Sequence, residues 1–282
     1  MRRRGRRVGV GGGTLLTRRL APVGAMLALA LLMAACAAPT EGPAGPSGLT
    51  GDTHVPPFAR WPYQPFSREA AVQIAYREWR AFGQPVVYPR TELPYDNERA
   101  EGLWQRVGEY WWLGLPVGQR EQGFTGMHDQ NGRVFAAQED GNFAWSAAFV
   151  DYVMRIAGAG RRFPYSPTHS DYINAARQSS GWVITALHPS TYAPQRGDLI
   201  CMSRGARQIH YADLPTGRFP GHCDMVVAIR PGALDVIGGN VDNSVSMKHI
   251  PVTANGYIAN PDGTIVDPDY AWFVVLRVAY DR

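Results

Sequence analysis

The chain has 282 residues, of which 45% are hydrophobic and 18% are charged. This composition excludes disordered, collagenous and coiled-coil proteins, and the length allows one or two globular domains. Seven of the 28 basic residues lie before residue 20, while no acidic residue precedes Glu41, so the rest of the chain holds 21 basic against 24 acidic residues. A slightly acidic chain has no electrostatic footprint for DNA or RNA, and we expect no nucleic-acid partner.

Residues 1–36 have the pattern of a secretory signal peptide. An arginine-rich start is followed by an apolar run over residues 25–33 and then by small residues and a cysteine. The run is too short to span a bilayer comfortably as a mature helix. Residues 33–36 (Met-Ala-Ala-Cys) resemble a bacterial lipobox, which implies a lipid anchor on Cys36, and Ala37 favours the periplasmic face of the outer membrane. An ordinary secreted protein with an incidental cysteine is the alternative.

The segment after the signal is expected to be a tether. Residues 37–62 are rich in Pro, Gly, Ser and Thr and cannot bury enough apolar surface to become ordered. The remaining residues, 63–282, number about 220 and can form one sizeable hydrophobic core. The sequence therefore predicts one tethered globular domain in the cell envelope.

Helical patterns fill the first half of this domain. Ser67 is a good N-cap for a first helix, and a second is expected over residues 99–113. Residues 116–142 read as loop. A third helix over residues 143–157, with Asn142 and Gly158 at its ends, is apolar almost all round and should lie at the centre of the fold, and a shorter fourth helix follows Ser170.

Short β-type runs separated by turns follow from residue 182. Helices first and strands afterwards are typical of an α+β fold with an antiparallel sheet rather than of alternating βαβ units. The expected strands are Asp198–Met202, Cys223–Ile229, Leu234–Ile237, Val245–Ile250 and Trp272–Val278.

Three polar positions stand out in this apolar framework, because the common signatures of hydrolases, phosphate loops and dinucleotide sites are absent. Ser146 lies in the first turn of the most buried helix, where free N–H groups and the helix dipole favour a developing anion. His222 begins a strand in the run Gly-His-Cys-Asp, and Asn240 follows two glycines where the next strand ends. Ser146 could equally be a small packing residue, His222 a surface residue, and Asn240 a turn residue.

Strand alternation adds a prediction for the residues beside His222. His222, Asp224 and Val226 share one face, which suggests a polar cleft, whereas Cys223, Met225, Val227 and Ile229 share the other, which should be core.

The order of these motifs resembles a known superfamily. The runs Trp-Ser-Ala-Ala-Phe, Gly-His and Gly-Gly-Asn resemble the NlpC-type and CHAP cell-wall amidases and endopeptidases, which are papain-like. Residues 65–280 more closely resemble the bacterial domain of unknown function 2272, including the Tyr165–His169 region. The resemblance implies a papain-like fold, in which N-terminal helices pack on an antiparallel sheet or small barrel, and hydrolysis of an amide in peptidoglycan or its stem peptides.

Carried over position by position, the resemblance places Ser146 as nucleophile, His222 as base and Asn240 as the residue that orients the base. The enzymes have Cys where this chain has Ser146, and a serine gains less from the helix dipole than a thiol. Asn240 would supply no negative charge to the imidazolium. A catalytically inactive module that binds peptidoglycan or an envelope partner is therefore the alternative. The residues expected to line the substrate cleft are Trp145, Asp224, His169 and Tyr165.

Two cysteines remain after lipidation, and in the periplasm an even pair suggests a disulfide bond between Cys201 and Cys223. Cys223 as a displaced nucleophile is the alternative. His169, His188, His210 and His222 lack the spacing of a zinc site, so neither a metal nor another cofactor is expected.

Overall fold

A computed structural model of the chain describes residues 65–87, 97–178 and 181–281. The predicted signal peptide, the lipidation site Cys36 and the predicted tether lie outside these residues. None of the helices in the described part is long and apolar enough to cross a membrane. The described α-helices are α1 (Arg68–Ala81), α2 (Leu103–Gly114), α3 (Ser146–Ile156) and α4 (His169–Gln178).

One six-stranded sheet follows the helices in the chain. Its strands lie in the order β1-β6-β2-β3-β4-β5, and every neighbouring pair is antiparallel. The sheet is open, with β1 and β5 at its edges, so the predicted α+β class is confirmed and the sheet is not a closed barrel. The strands are β1 (Ile184–Leu187), β2 (Leu199–Ser203), β3 (Gly221–Arg230), β4 (Ala233–Val241), β5 (Ser244–Pro251) and β6 (Trp272–Val278).

The helix ends show where sequence signals were sufficient. Ser67 caps α1 as predicted, with its side chain accepting a hydrogen bond from the backbone N–H of Ala70 at 3.2 Å. Helix α3 begins at Ser146 rather than at residue 143, because residues 137–143 form a tighter 3₁₀ segment, and its N-cap is Trp145 instead of Asn142. The start of α3 therefore has no side-chain cap.

Two strand predictions need correction. Residues 184–187 pair with β6 although no strand was predicted there, because four residues that include Thr and Ala give too short an apolar signal. Ile229 was predicted to be core but is 54% exposed, because it lies near the end of β3, where the strand runs beyond the apolar cluster.

Both faces of the sheet are buried. Cys223, Met225 and Val227 belong to a large cluster with α1, α2, α3 and α4, whereas Val226 belongs to a second apolar cluster that includes Trp272. The alternation predicted along β3 is therefore confirmed. The face of Val226 is covered by apolar side chains, so it is not the open polar cleft that the sequence suggested.

A disulfide bond joins Cys201 on β2 to Cys223 on β3, which are direct partners in the strand register. Both side chains are fully buried, so Cys223 is not available as a nucleophile. The bond closes a loop between two positions that are 22 residues apart in the sequence.

Reduction of this bond should lower the free energy of unfolding by about 3 kcal/mol, because the unfolded chain regains the entropy of a loop of this length. Urea unfolding of the oxidised and the reduced protein, followed by tryptophan fluorescence, measures the difference. A Cys201→Ala, Cys223→Ala double variant should not respond to reductant. Equal unfolding midpoints with and without reductant in the wild type would contradict the expectation.

Candidate functional site

The site is built where two helix N-termini meet. Ser146 is the first residue of α3 and His169 is the first residue of α4. Ser146 Oγ lies 2.6 Å from His169 Nε2, and the two residues are 3% and 4% exposed, respectively. This distance is that of a hydrogen bond, the arrangement in which an imidazole can take the proton of a serine.

The other nitrogen of His169 is held by a neighbour on the same helix. His169 Nδ1 contacts the hydroxyl of Tyr172, which is fully buried one turn further along α4. In the tautomer that carries its proton on Nδ1, His169 donates to Tyr172 and accepts from Ser146 at Nε2. Burial, with a smaller effect of His222, holds the pKa of His169 well below its ordinary value, so the ring is neutral at pH 7.

Backbone donors lie beside the serine. The first hydrogen bond within α3 runs from the N–H of Phe149 to the carbonyl of Trp145 at 3.0 Å. The N–H groups of Ser146, Ala147 and Ala148 precede it and are the orphan donors of the helix start, where the dipole also favours negative charge.

Trp145 fixes this helix start from within the core. It is 1% exposed, stacks on Phe82 with 5.9 Å between ring centroids, and donates from its indole nitrogen to the Glu98 carboxylate. Trp145 was expected to line the substrate cleft, but its ring lies within the hydrophobic core, packed on Phe82. Burial raises the pKa of Glu98 to about 7 against the opposing hydrogen bond from Trp145.

A second polar cluster lies behind His169 and consists of His222, Asp224 and Lys248, each at most 2% exposed. The His222 ring is 5.4 Å from the His169 ring between centroids, and its Nε2 is 2.7 Å from Asp224 Oδ1. Lys248 Nζ donates to Asp224 Oδ2 at 2.6 Å. Burial, the largest single influence, would raise the pKa of Asp224, but Lys248 and His222 together outweigh it, so the net shift is downward.

Neither His222 nor Asn240 makes the contacts that its expected role requires. Among the described residues, no hydrogen bond joins His222 to Ser146 or Asn240 to His222, and the imidazole at the serine is that of His169. Asn240 has a φ of 54°, and Asp242 and Asn243 after it are also left-handed, as expected of the turn residue that the sequence left open.

The glycines before Asn240 serve close packing. A Cβ at Gly238 would lie 1.7 Å from Asp224 Oδ1, and one at Gly239 would lie 2.5 Å from the Cβ of Phe149 on α3. The Gly-Gly-Asn run is therefore explained by β4 pressing against the buried carboxylate and the central helix.

The family comparison agrees with this architecture. A family model described as an uncharacterised protein conserved in bacteria, DUF2272, matches residues 98–278, which include all the site residues named so far. The chain belongs to this family. Comparison with curated proteins found no match, and comparison with solved structures found none either.

Several residues of the site in this DUF2272 protein were not singled out from the sequence as site residues, namely Tyr172, Lys248 and Glu98. Lys248 left a usable signal, because it is the only lysine in the chain and lies within an expected strand. Tyr165, expected in the substrate cleft, is partly buried with the Arg155 guanidinium 4.0 Å from its ring centroid. No group of His, Cys, Asp or Glu side chains in the described ranges could hold a metal ion.

The buried imidazoles predict a dependence of stability on pH. Burial lowers the pKa of His222 to about 4, although Asp224 opposes the shift, and the pKa of His169 is lowered as well. Between the unfolded value near 6.5 and the folded value, the unfolded chain binds more protons, so the free energy of unfolding falls as the pH falls from about 6.5 to 4. Glu98 has the opposite slope, because its raised pKa weakens the fold as the pH rises from 4.5 to about 7.

A His222→Asn variant separates the pH dependence that comes from the buried histidines from the opposite pH dependence that comes from Glu98. The slope of stability against pH should become shallower by up to about 1.4 kcal/mol per pH unit in the variant, because one buried neutral histidine is lost. Urea unfolding at pH 7, 5.5 and 4.5 measures both proteins, and Glu98→Gln is the matched control that should steepen the slope. Parallel curves for wild type and His222→Asn would contradict the shift.

Proposed function

We propose that this protein is a serine hydrolase of the cell envelope that cleaves an amide bond of peptidoglycan, with Ser146 as nucleophile and His169 as general base. The observation that carries the proposal is the 2.6 Å contact between Ser146 Oγ and His169 Nε2 at the start of α3. A buried, neutral imidazole hydrogen-bonded to a serine beside free backbone donors is the set of groups that acyl transfer needs.

The reaction would proceed in two halves. Ser146 Oγ attacks the amide carbonyl while its proton passes to His169 Nε2, and the N–H groups at the start of α3 receive the oxyanion. His169 then gives the proton to the leaving amine as the C–N bond breaks, which leaves an ester on Ser146. Water, deprotonated by His169, attacks this ester, and return of the proton to Ser146 releases the acid and restores the enzyme.

Tyr172 and Asp224 would set the strength of the base. Tyr172 orients His169 but brings no negative charge, so it stabilises the imidazolium less than a carboxylate would. The carboxylate of this site, Asp224, is separated from His169 by the His222 ring and is neutralised by Lys248. We therefore expect a slower hydrolase than one with a directly paired carboxylate.

The choice of peptidoglycan as the substrate is supported by sequence motifs and expected location rather than by the geometry of the serine–histidine pair. The Trp-Ser-Ala-Ala-Phe, Gly-His-Cys-Asp and Gly-Gly-Asn runs support membership of the papain-like superfamily of cell-wall amidases. The signal peptide and lipidation of Cys36 would place the domain on the periplasmic face of the outer membrane, within reach of the cell wall. The disulfide bond between Cys201 and Cys223 fits an oxidising compartment.

The second candidate is a module that binds peptidoglycan without cleaving it. It is favoured by the low exposure of Ser146 and by the presence of a serine where the NlpC-type and CHAP enzymes have a thiol. In this case the polar cluster would only hold the two helix starts together.

Digestion of purified peptidoglycan by residues 37–282 tests the proposal, with products identified by mass spectrometry. Release of fragments by the wild type, lost in Ser146→Ala, is the expected result, and the fragment masses would name the bond. Activity of Ser146→Cys alone would support the binding module with a disarmed site. No release by any folded variant would overturn the hydrolase.

A further inference from the structure

We propose that an arginine-lined pocket, formed by two segments of the loop that joins β2 to β3, binds a carboxylate of the substrate. This carboxylate would lie next to the amide that is cut. This inference rests on the proposed function and names a feature of its substrate. The pocket has a volume of about 190 Å³ and is formed by residues 204–207, 209 and 216–220.

The pocket carries an excess of positive charge. Three arginines line it, and only Arg218 has a carboxylate partner in the described part of the chain, namely Asp171 at 2.7 Å. Arg204 and Arg207 form no ion pair with the described residues; Arg204 is half-buried and Arg207 is exposed. Two guanidinium groups without a carboxylate partner leave a local positive charge that a bound anion would neutralise through charge-assisted hydrogen bonds.

Arg204 links the pocket to the site. Its positive charge contributes to the lowered pKa values of both His169 and His222, so the guanidinium lies within electrostatic range of both rings. Its own pKa is lowered by burial, partly offset by Asp224. Its backbone N–H donates to the carbonyl of Pro220 at 2.7 Å, and the next residue, Gly221, contacts His169, so a ligand carboxylate on Arg204 would lie on the side of the loop that faces the base.

The chain connects the two places directly. Phe219 and Pro220 line the pocket and lead into Gly221, where a Cβ would lie 3.4 Å from the Cβ of His169. Arg218 is tied through Asp171 to α4, two residues after His169. The loop that lines the pocket thus contacts the helix start that carries the base.

The size of the pocket narrows the ligand. Sites for drug-sized molecules measure about 300–1,000 Å³, so a cavity of this volume fits a small group of the substrate rather than a whole ligand. Two unpaired guanidinium groups match a carboxylate, which accepts paired N–H donors. Free carboxylates on the stem peptides of the proposed substrate would supply this group, and inorganic phosphate is the competing anion that the test includes.

Direct binding tests the pocket independently of catalysis. The protein is the chain from residue 37 with Ser146→Ala, and the probes are N-acetyl-alanyl-alanine, its C-terminal amide and inorganic phosphate, measured by calorimetry at low salt. The carboxylate peptide should bind at least tenfold more tightly than the amide and than phosphate. Arg204→Met should remove this difference, whereas Arg80→Met, on the exposed surface of α1, should keep it.

The outcomes separate the two proposals. Four results would each overturn the carboxylate pocket: equal binding of peptide and amide, no binding of either, tighter binding of phosphate, or an unchanged preference in folded Arg204→Met. The hydrolase would then still be tested separately by the peptidoglycan digestion. Loss of all digestion together with intact carboxylate selectivity would overturn the hydrolase and keep the pocket.

Discussion

Replacing His169 by Asn should reduce the hydrolysis rate by about 10² to 10⁴-fold, the range for loss of a general base. The reason is geometric, because His169 is the imidazole whose Nε2 lies 2.6 Å from Ser146 Oγ. Asn keeps a polar side chain at the start of α4 but cannot take the proton. Release of soluble fragments from peptidoglycan, followed over time at equal protein concentration, measures the rate.

The matched variant is His222→Asn, which changes the other imidazole of the site. The hydrolysis rate of His222→Asn should fall by less than about 10²-fold, the smallest loss expected when a general base is removed. The reason is that no hydrogen bond joins His222 to Ser146 in the described structure. Asn240→Ala should leave the rate nearly unchanged, since Asn240 lies near the end of β4 with a left-handed backbone and forms no hydrogen bond with His222 or Ser146 in the described structure. A larger loss in His222→Asn than in His169→Asn would contradict the assignment of the base.

Replacing Asp224 by Ala should lower the free energy of unfolding by about 3–5 kcal/mol, the cost of breaking a buried ion pair on one side. Asp224 is fully buried and accepts the hydrogen bond of Lys248, which is only 2% exposed. Without the carboxylate, the Lys248 amine would lose its partner in an interior site beside the rings of Tyr270 and Trp272. Urea unfolding followed by circular dichroism measures the loss.

A second substitution separates this electrostatic cost from simple loss of packing. The double variant Asp224→Ala, Lys248→Met removes both charges and should recover a substantial part of the stability, because Met approximates the lysine stem without the ammonium group. Exposed Arg80→Met is the surface control and should change little. Strictly additive losses from the two single substitutions would contradict the buried ion pair.

The fold was largely predictable because its signals are local. The cap at Ser67, the apolar α3 and four of the five expected strand runs agree closely with the structure, and Trp272–Val278 agrees at both ends. The short strand β1 was missed because its stability comes from pairing with β6, more than 80 residues later in the chain, which no local pattern shows.

The sequence predicted which residues belong to the site better than it predicted which of them contact each other. Ser146, His169, His222 and Asp224 were all named from the sequence, yet the pairing of Ser146 with His169 depends on how the starts of α3 and α4 pack together. The Gly-Gly-Asn run misdirected attention to Asn240, since glycines needed for close approach to Phe149 and Asp224 look the same in sequence as a catalytic turn.

Active-site labelling tests the central claim, an activated Ser146, without any assumption about the substrate. A fluorophosphonate should phosphonylate the protein as the Ser146 Oγ–P bond forms, fluoride leaves and the proton passes to His169. We predict one adduct per chain, located on Ser146 by peptide mass spectrometry and lost in His169→Asn but retained in Asn240→Ala. No adduct on the folded wild type, or an adduct that His169→Asn does not affect, would contradict a serine–histidine nucleophile.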